Sequence, residues 1–291
     1  MMKSEPLITV GLPYYNDALW LNAAINSIVN QTYKDWELIL MDDGSSDGST
    51  AIAESWLKDP RIRLIRDGKN RGLTTRLNQI VQSAKGRFIA RMDADDIMVH
   101  NRLERQVNFL LDNPNIDLIG SQIYSIDIDN RIHGWRGDDL MPKTRKQAIK
   151  GIPIVHPSVM ARREWYLLNP YYPVLLRSQD FELWLRTLYT TNFHIMNEKL
   201  LFYREVGIPY TKKYVNTNSD LRRTFLIYIN EIGLFNIIIE NIKLSIKEYS
   251  YRVFDLFKKQ HILIKKRNHK LTNAELIEAE SILKLSLENA G

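Results

Sequence analysis

The sequence predicts an α/β protein: a mostly parallel central sheet flanked by helices, followed by a helical C-terminal appendage. Two observations predict it. Through the first 120 residues, short apolar runs ending at turn residues alternate with segments whose apolar residues recur at helical spacing. From Asn218 onward only the helical spacing persists. A third observation bounds the size. The 291 residues, 44% hydrophobic and 25% charged, suffice for one large domain with a buried core plus an appendage.

Taken in order, Leu7 to Leu12 is an apolar run ending at Pro13 and reads as a buried strand. Asp17 to Asn30 carries Leu21, Ala24, Ile25 and Ile28 at helical spacing. Trp36 to Met41 is a strand, and Ser46 to Leu57 a helix with Ser45 or Ser46 as N-cap. Arg61 to Ile65, Leu73 to Ala84 and Gly86 to Met92 read as strand, helix and strand. A helix from about Val99 to Leu111 stops at Asn113-Pro114, and Ile116 to Gly120 is a fifth strand. Ile123 to Ile132 reads as a hairpin around Asp129-Asn130, and Ile152 to Arg162 as extended. Phe181 to Tyr189 is helical and Phe193 to Arg204 extended. Leu221 to Phe257 and Thr272 to Leu287 are helical, the latter capped by Thr272 or Asn273. The expected division is one continuous domain over 1–215, in halves of about 1–120 and 121–215, with a helical region over 216–291.

A net charge of +6 suits an anionic partner (a nucleotide, a phospholipid surface or nucleic acid) and equally a basic surface that serves only solubility. The absence of cysteine excludes disulfides, thiolate nucleophiles and cysteine-rich zinc sites. Met1 to Pro6 lacks the apolar stretch of a signal peptide, and no run approaches the roughly 18 to 20 apolar residues of a membrane span. The expectation is a cytoplasmic protein, free or peripheral at the inner face of the membrane.

In a parallel sheet, ligands sit beyond the carboxyl ends of the strands. Three such ends carry polar clusters: Pro13-Tyr14-Tyr15-Asn16, Asp42-Asp43-Gly44-Ser45 and Asp93-Ala94-Asp95-Asp96. Acids crowded at the mouth of a sheet repel one another unless a cation or donor groups compensate. Mg²⁺ or Mn²⁺ prefers oxygen ligands and bridges carboxylates to substrate phosphates. Singly these clusters also read as a turn with an N-cap, a common triplet and ordinary loop residues. Their joint placement at successive strand ends points to a site.

The order Pro13-x-Tyr15-Asn16, Asp42-Asp43-Gly44-Ser45, Asn70-x-Gly72-(x)₃-Arg76-x-Asn78 and Asp93-x-Asp95-Asp96 resembles the family-two inverting glycosyltransferases with the GT-A fold, over roughly residues 6 to 205. The resemblance implies a nucleotide-diphosphate-sugar donor. Pro13, Tyr15 and Asn16 lie in its donor-binding segment, with Pro13 and Tyr15 lining the nucleoside pocket. Asp43 accepts a hydrogen bond from the base, favouring UDP, although GDP and dTDP donors occur in related enzymes. Arg76 lies near the nucleotide or its phosphates. Asp93 approaches the ribose or the metal, and Asp95 holds the metal, Mn²⁺ or Mg²⁺, on the diphosphate.

Ser178-Gln179-Asp180-Phe181-Glu182-Leu183-Trp184 resembles the family's acidic segment with Leu-Trp, and Asp180 matches its catalytic base. Taken alone, Asp180 also reads as an N-cap of the following helix. Gln179 stands where the family usually has Glu. Gln179, Trp184 and His156, in His156-Pro157-Ser158-Val159-Met160, are acceptor-side candidates; a lone His at a strand edge is otherwise a structural residue. Tyr203-Arg204 resembles the family's Tyr-Arg, but no metal-holding His follows it, and Glu205 is the replacement at hand. The implied chemistry is one displacement. A carboxylate takes the acceptor hydroxyl's proton, the leaving diphosphate is neutralised, and the anomeric configuration inverts.

The acceptor implied is a saccharide or lipid-linked saccharide of bacterial surface polysaccharide or glycoconjugate synthesis. The basic cluster Lys258, Lys259, Lys265, Lys266, Arg267 and Lys270 reads either as a membrane-surface contact or as the solvated edge of a helical subdomain packed on the core or another subunit. It lacks the interleaved aromatics of a nucleic-acid site, so no nucleic acid is expected. Two rival functions are a sugar nucleotidyltransferase and a non-catalytic nucleotide-sugar-binding protein on a degenerate transferase scaffold. The first needs a Gly-rich phosphate loop where Leu12 to Asn16 stand; the second draws on the missing His.

Overall fold

The computed structural model describes residues 8–138, 140–173, 177–206, 211–259, 262–263 and 266–288. Met1 to Pro6, Leu7 at the head of the first strand and Lys265 of the basic cluster lie outside them. In chain order the first half runs β1 (Ile8–Tyr14), α1 (Leu21–Val29), β2 (Trp36–Asp42), α2 (Ser49–Ser55), β3 (Ile62–Ile65), α3 (Leu73–Ser83) and β4 (Phe88–Arg91). Then come β5 (Ile97–Met98), α4 (Arg102–Asp112), β6 (Leu118–Asp127), β7 (Ile132–Arg136), α5 (Arg145–Ala148), β8 (Met160–Arg162) and α6 (Arg163–Leu168). The remainder is α7 (Gln179–Thr187), β9 (Phe193–Val206), α8 (Thr211–Ile227), α9 (Ile229–Ile232), α10 (Leu234–Leu256) and α11 (Asn273–Leu287).

Among the described residues the strands form one sheet, ordered β3-β2-β1-β4-β8-β6-β9-β5, with β7 on the side of β6. Strands β3, β2, β1 and β4 run parallel, as do β6 and β9, and these ladders carry most of the pairing. β8 enters antiparallel between β4 and β6. Every residue of β1 and β2 is buried, as expected of central strands covered on both faces. One layer of helices (α1, α2, α4) packs on the face carrying Val10, Leu12, Leu38 and Leu40. The other (α3, α6, α7) packs on the face carrying Ile39, Met41 and Ile89. Gly11 makes the second contact close: a Cβ there would lie 2.6 Å from the Ile80 side chain of α3.

The structure departs from the sequence expectations locally. Neither Ser45 nor Ser46 caps α2; its N-cap is Gly48 at φ +98°, and both serines bond to Asn16 instead. The helix expected from Val99 begins at Arg102, because Ile97 and Met98 pair with Phe202 and Leu201 as β5. Two residues carry no periodicity to read. Within Ile152 to Arg162 only Met160–Arg162 is strand; His156–Ser158 is a 3₁₀ turn around Pro157, which has no N–H for a ladder. The expected boundary at 215/216 falls within α8, which spans Thr211–Ile227.

The C-terminal region packs on the sheet. Thr272 caps α11 in a reciprocal capping box with Glu275. α11 then buries Ala279 and Leu283 against Ile97, Tyr124 and Phe202. Its end is tied to α1 by Asn26 Nδ2 donating to the Leu287 carbonyl at 2.7 Å. Before it, His269 pairs its backbone with Trp135 of β7 and stacks on that indole at 4.5 Å.

Candidate active site

The ends of β1, β2 and β4 open into a cleft of about 1480 Å³, lined also by the loop after α5, the start of α7 and α8. Parallel strands with the same register direction place Pro13, Asp43 and Asp93 at one edge, which is why motifs far apart in the chain meet.

Asp43 is almost fully buried at the end of β2. Its Oδ1 accepts from the Arg71 N–H at 2.7 Å and Arg76 Nε at 2.8 Å, and its Oδ2 from the Gly72 N–H at 3.0 Å. The turn allows this because Gly44, at φ +80°, passes beneath the Lys69–Asn70 backbone, where a Cβ would lie 2.8 Å from a carbonyl carbon. Arg76, expected near the nucleotide or its phosphates, lies buried in the cleft wall. Its guanidinium bonds Asp43, Asp67, Gln79 and the Lys69 carbonyl. It therefore orients Asp43. Pro13 and Tyr15 line the cleft, Tyr15 half exposed. Asn16 stands behind them at φ +56°. Its N–H donates to Ser45 Oγ and its Oδ1 accepts from the Ser46 N–H at 2.8 Å, latching the β1 loop to the β2 loop.

Asp93, Asp95 and Asp96 leave β4 together, and one carboxylate oxygen from each lies within 4.8 Å of the other two. Asp93 and Asp95 face the cleft; Asp96 is buried. Burial, then Asp95 and Asp93, hold the Asp96 carboxyl well above its ordinary range. Two arginines frame the group. Arg204 of β9 donates its N–H to Asp96 Oδ1 at 2.8 Å and its Nε to the Asp95 carbonyl at 2.7 Å. Arg91, the last residue of β4, is buried and pairs Nη2 with Asp93 Oδ1 at 2.5 Å, while its Nε and Nη1 find no partner among the described residues. Burial opposes its charge, but Asp93, with Asp96 behind, more than reverses this. Sequence motifs did not single out Arg91. The available signal was a cation at the end of an otherwise apolar strand, Phe88-Ile-Ala-Arg91.

Across the cleft, Asp180 occupies the first turn of α7, preceded by Ser178 as N-cap; no side chain caps the helix. Its carboxyl is pushed up by burial, an effect that Asp93 adds to and Arg91 opposes. Asp93, Arg91 and Asp180 thus share one electrostatic neighbourhood. Gln179 is buried beside Asp180, lines the cleft, and leaves its Oε1 without a partner among the described residues. His156 also lines the cleft, with Nε2 2.8 Å from the Tyr171 hydroxyl. Burial and the nearby Arg91 hold its pKa well below the ordinary value, so the imidazole is neutral. Trp184 does not line the cleft: it is buried behind His156, ring centroids 6.0 Å apart, and stacks on Trp165. Asn78 pins the backbone of Tyr171 with two hydrogen bonds, at 2.8 and 3.0 Å.

Glu205 is not placed as a third metal ligand. It is buried, with Oε1 accepting from Ser125 at 2.9 Å and Oε2 paired to Arg136 at 3.0 Å and Arg267 at 2.7 Å. It brings two guanidiniums to the cleft wall and clamps the C-terminal segment there. The acids that do converge are Asp93, Asp95 and Asp96. Their all-oxygen donor set and the mutual repulsion felt at Asp96 fit a hard divalent cation.

The family described as Glycosyl transferase family 2 matches residues 9–167. The EpsE protein of Bacillus subtilis, a glycosyltransferase by name, is 33% identical over 259 residues, covering 86% of this chain and 88% of EpsE. The Escherichia coli UDP-Glc:alpha-D-GlcNAc-diphosphoundecaprenol beta-1,3-glucosyltransferase WfgD is 33% identical over 193 residues, covering 66% of this chain and 73% of WfgD. Among solved structures, the mannosyltransferase PcManGT of Pyrobaculum calidifontis, in complex with GDP-Man and Mn²⁺, is similar with a TM-score of 0.61 at 16% identity. That likeness covers 97% of this chain and 81% of PcManGT. A fragment of S. aureus TarS in complex with UDP is similar with a TM-score of 0.57 at 14% identity, over 96% of this chain and 79% of that one. These likenesses to solved structures are likenesses of fold, and the fold is GT-A. With over half the chain matched to the family and a relative one-third identical along nearly its whole length, this protein belongs to glycosyl transferase family 2.

Proposed function

We propose that the chain transfers a sugar from a nucleotide-diphosphate donor, UDP-linked by preference, to a hydroxyl of a saccharide or lipid-linked saccharide, with inversion. The observation that carries this reading is the meeting, in one cleft, of a carboxylate with raised proton affinity (Asp180) and a group of acids suited to a cation (Asp93, Asp95, Asp96). A hydroxyl is a poor nucleophile, and a base of raised pKa takes its proton well once ionised. As the acceptor oxygen bonds to the anomeric carbon, the bond to the diphosphate breaks, the proton passes to Asp180, and the nucleoside diphosphate leaves. One displacement with one base inverts the centre and needs no covalent enzyme intermediate.

Asp43, oriented by Arg76, would accept the imide N–H of uracil, with Pro13 and Tyr15 flanking the nucleoside and Asn16 holding their loop. Asp95 and Asp93 would hold Mn²⁺ or Mg²⁺, which neutralises charge on the diphosphate when bound. His156 and Gln179 would border the acceptor, with Trp184 supporting His156 from behind. WfgD's name supports a UDP-sugar donor and a diphospholipid-linked acceptor, as in bacterial surface polysaccharide synthesis; the PcManGT complex supports a metal.

Calorimetric titration of UDP, GDP and dTDP, with and without Mn²⁺, tests the donor half, repeated on Asp95→Ala. Metal-dependent binding of one nucleotide, weakened at least tenfold in Asp95→Ala (about 1.4 kcal/mol), is expected. Absence of binding by any nucleotide in either condition would refute the assignment and favour a non-catalytic scaffold.

A further inference from the structure

Helix α10 is amphipathic in an unusual sense. Its inner row, Ile237, Leu244 and Tyr251, faces the body of the protein: Ile237 packs with Phe225 and Ile232, and Tyr251 with Tyr214 at 4.7 Å. Its outer face is also apolar. Phe235, Ile238, Ile242, Ile246, Tyr249 and Leu256 recur at helical spacing and are 73, 47, 54, 62, 70 and 82% exposed. The stripe runs the length of a 23-residue helix, about 34 Å. No helix of the described residues is long and apolar enough to cross a membrane.

Charge decides what covers this face. Exposed Lys243 and Arg252 stand at the borders of the stripe, Lys247 is exposed as well, and the acids Glu240, Glu248 and Asp255 are each partly buried. Lys243 and Arg252 keep 59 and 57% of their side chains exposed, whereas their partners Glu240 and Glu248 keep 12 and 19%. Lys258 and Lys259 follow, both exposed. An apolar stripe bordered by exposed cations, with the acids of the helix more covered than its cations, is the pattern of a helix lying in the interface of an anionic membrane. Phe235, Ile242, Tyr249 and Leu256 also keep the seven-residue repeat of a helix seam. A second copy, however, would bring like cations to the borders of that seam whichever way it ran.

We propose that the outer face of α10 lies on an anionic lipid surface, its apolar stripe in the headgroup layer. This relocates the membrane contact expected at the basic segment, whose Arg267 is instead turned to Glu205 in the cleft. It also sets the cleft close to the lipid. α8 packs on α10 through Arg222 Nη2 donating to Ser245 Oγ at 2.8 Å, and supplies Asn216, Ser219 and Arg223 to the cleft wall. The body of α10 and helix α8, two helix layers or about 20 Å, thus separate the stripe from the site. Delivery of a lipid-linked acceptor across those layers rests on the glycosyl-transfer reading above; membrane binding does not.

The test is flotation of the full chain with vesicles of phosphatidylcholine alone and of phosphatidylcholine mixed with phosphatidylglycerol. Expected is partition onto the mixed vesicles about tenfold or more above that onto the neutral ones, weakening as salt rises. Ile242→Ser with Ile246→Ser should abolish it. Lys243→Gln with Arg252→Gln should lower it by about fivefold per cation removed. Both variants change exposed residues, and unchanged circular dichroism with retained nucleotide binding shows that they fold. Absence of binding to the mixed vesicles, or binding that both variants leave intact, overturns the proposal. So does a dimer in sedimentation equilibrium that the isoleucine variant dissociates, which would assign the face to a second copy. Nucleotide titration is independent of either result, so failure here is distinguishable from failure of the transferase reading.

Discussion

Replacing Arg91 by Gln tests whether one buried cation governs the whole cleft. Its side chain is 4% exposed and pairs with Asp93, which keeps 27% of its own side chain exposed. Breaking a fully buried pair by removing one partner costs about 3–5 kcal/mol. Water still reaches Asp93, and the unpartnered Nε and Nη1 of Arg91 cease to be a burden, so the expected loss is about 2–3 kcal/mol. For a chain of this size that lowers Tm by about 5–10 °C. The second effect is functional. The positive charge of Arg91 favours the ionised form of Asp180. Without it the protonated form gains and the carboxyl titrates still higher. The proposed base works ionised, so the acid limb of kcat/KM should move to higher pH. The assay is the pH profile of sugar transfer, or of the slower hydrolysis of the donor identified by titration, on wild type, Arg91→Gln and Arg91→Lys. Lysine keeps the charge and should restore most of the limb, though not the close Nη2 contact with Asp93. A limb unmoved in Arg91→Gln, with the stability loss as expected, would show that Arg91 only holds the fold and refute its electrostatic role.

Two further predictions concern carboxylates on opposite sides of the cleft. Asp180→Asn should lower kcat by about 10²–10⁴ while leaving nucleotide affinity intact. Because burial raises the Asp180 carboxyl in the folded state, wild type binds the proton more tightly folded than unfolded, and its stability falls as pH rises through that window. The variant should therefore match or exceed wild-type Tm at neutral pH and lose that advantage near pH 4; a variant less stable at neutral pH contradicts the burial argument. Glu205→Gln should loosen the C-terminal segment, seen as faster amide exchange at Trp135 and His269, because Arg136 and Arg267 lose their shared partner. Mn²⁺ affinity should change less than threefold, about 0.6 kcal/mol; a larger loss would return Glu205 to the metal's ligands.

Much of the cleft's lining was legible because its residues stand in short local motifs. Asp93, Asp95 and Asp43 stand at strand ends, and strand ends in a parallel sheet converge wherever the strands lie in the chain. The place of Asp180 on the cleft wall was expected from its own segment. The partners of Arg76, Asn16 and Trp184 were not, since whether a polar or aromatic side chain faces a ligand or its neighbours depends on what packs around it. Arg76 turns to Asp43, Asn16 to Ser46, and Trp184 to Trp165.

By itself the sequence determined the alternation of strand and helix, the parallel half of the sheet, the four motifs and the Thr272 cap. All rest on spacing, turn residues and burial patterns that a few neighbouring positions encode. Tertiary structure alone decided the rest. It set β8 antiparallel between β4 and β6, joined Glu205 to Arg267 across 62 positions, and placed Arg91 between Asp93 and Asp180. It also left the outer face of α10 bare. An apolar face looks the same in sequence whether it is covered or exposed, and a charge looks the same whether paired or free. Only packing distinguishes them, because burial and Coulomb energy depend on distances that the order of residues does not contain.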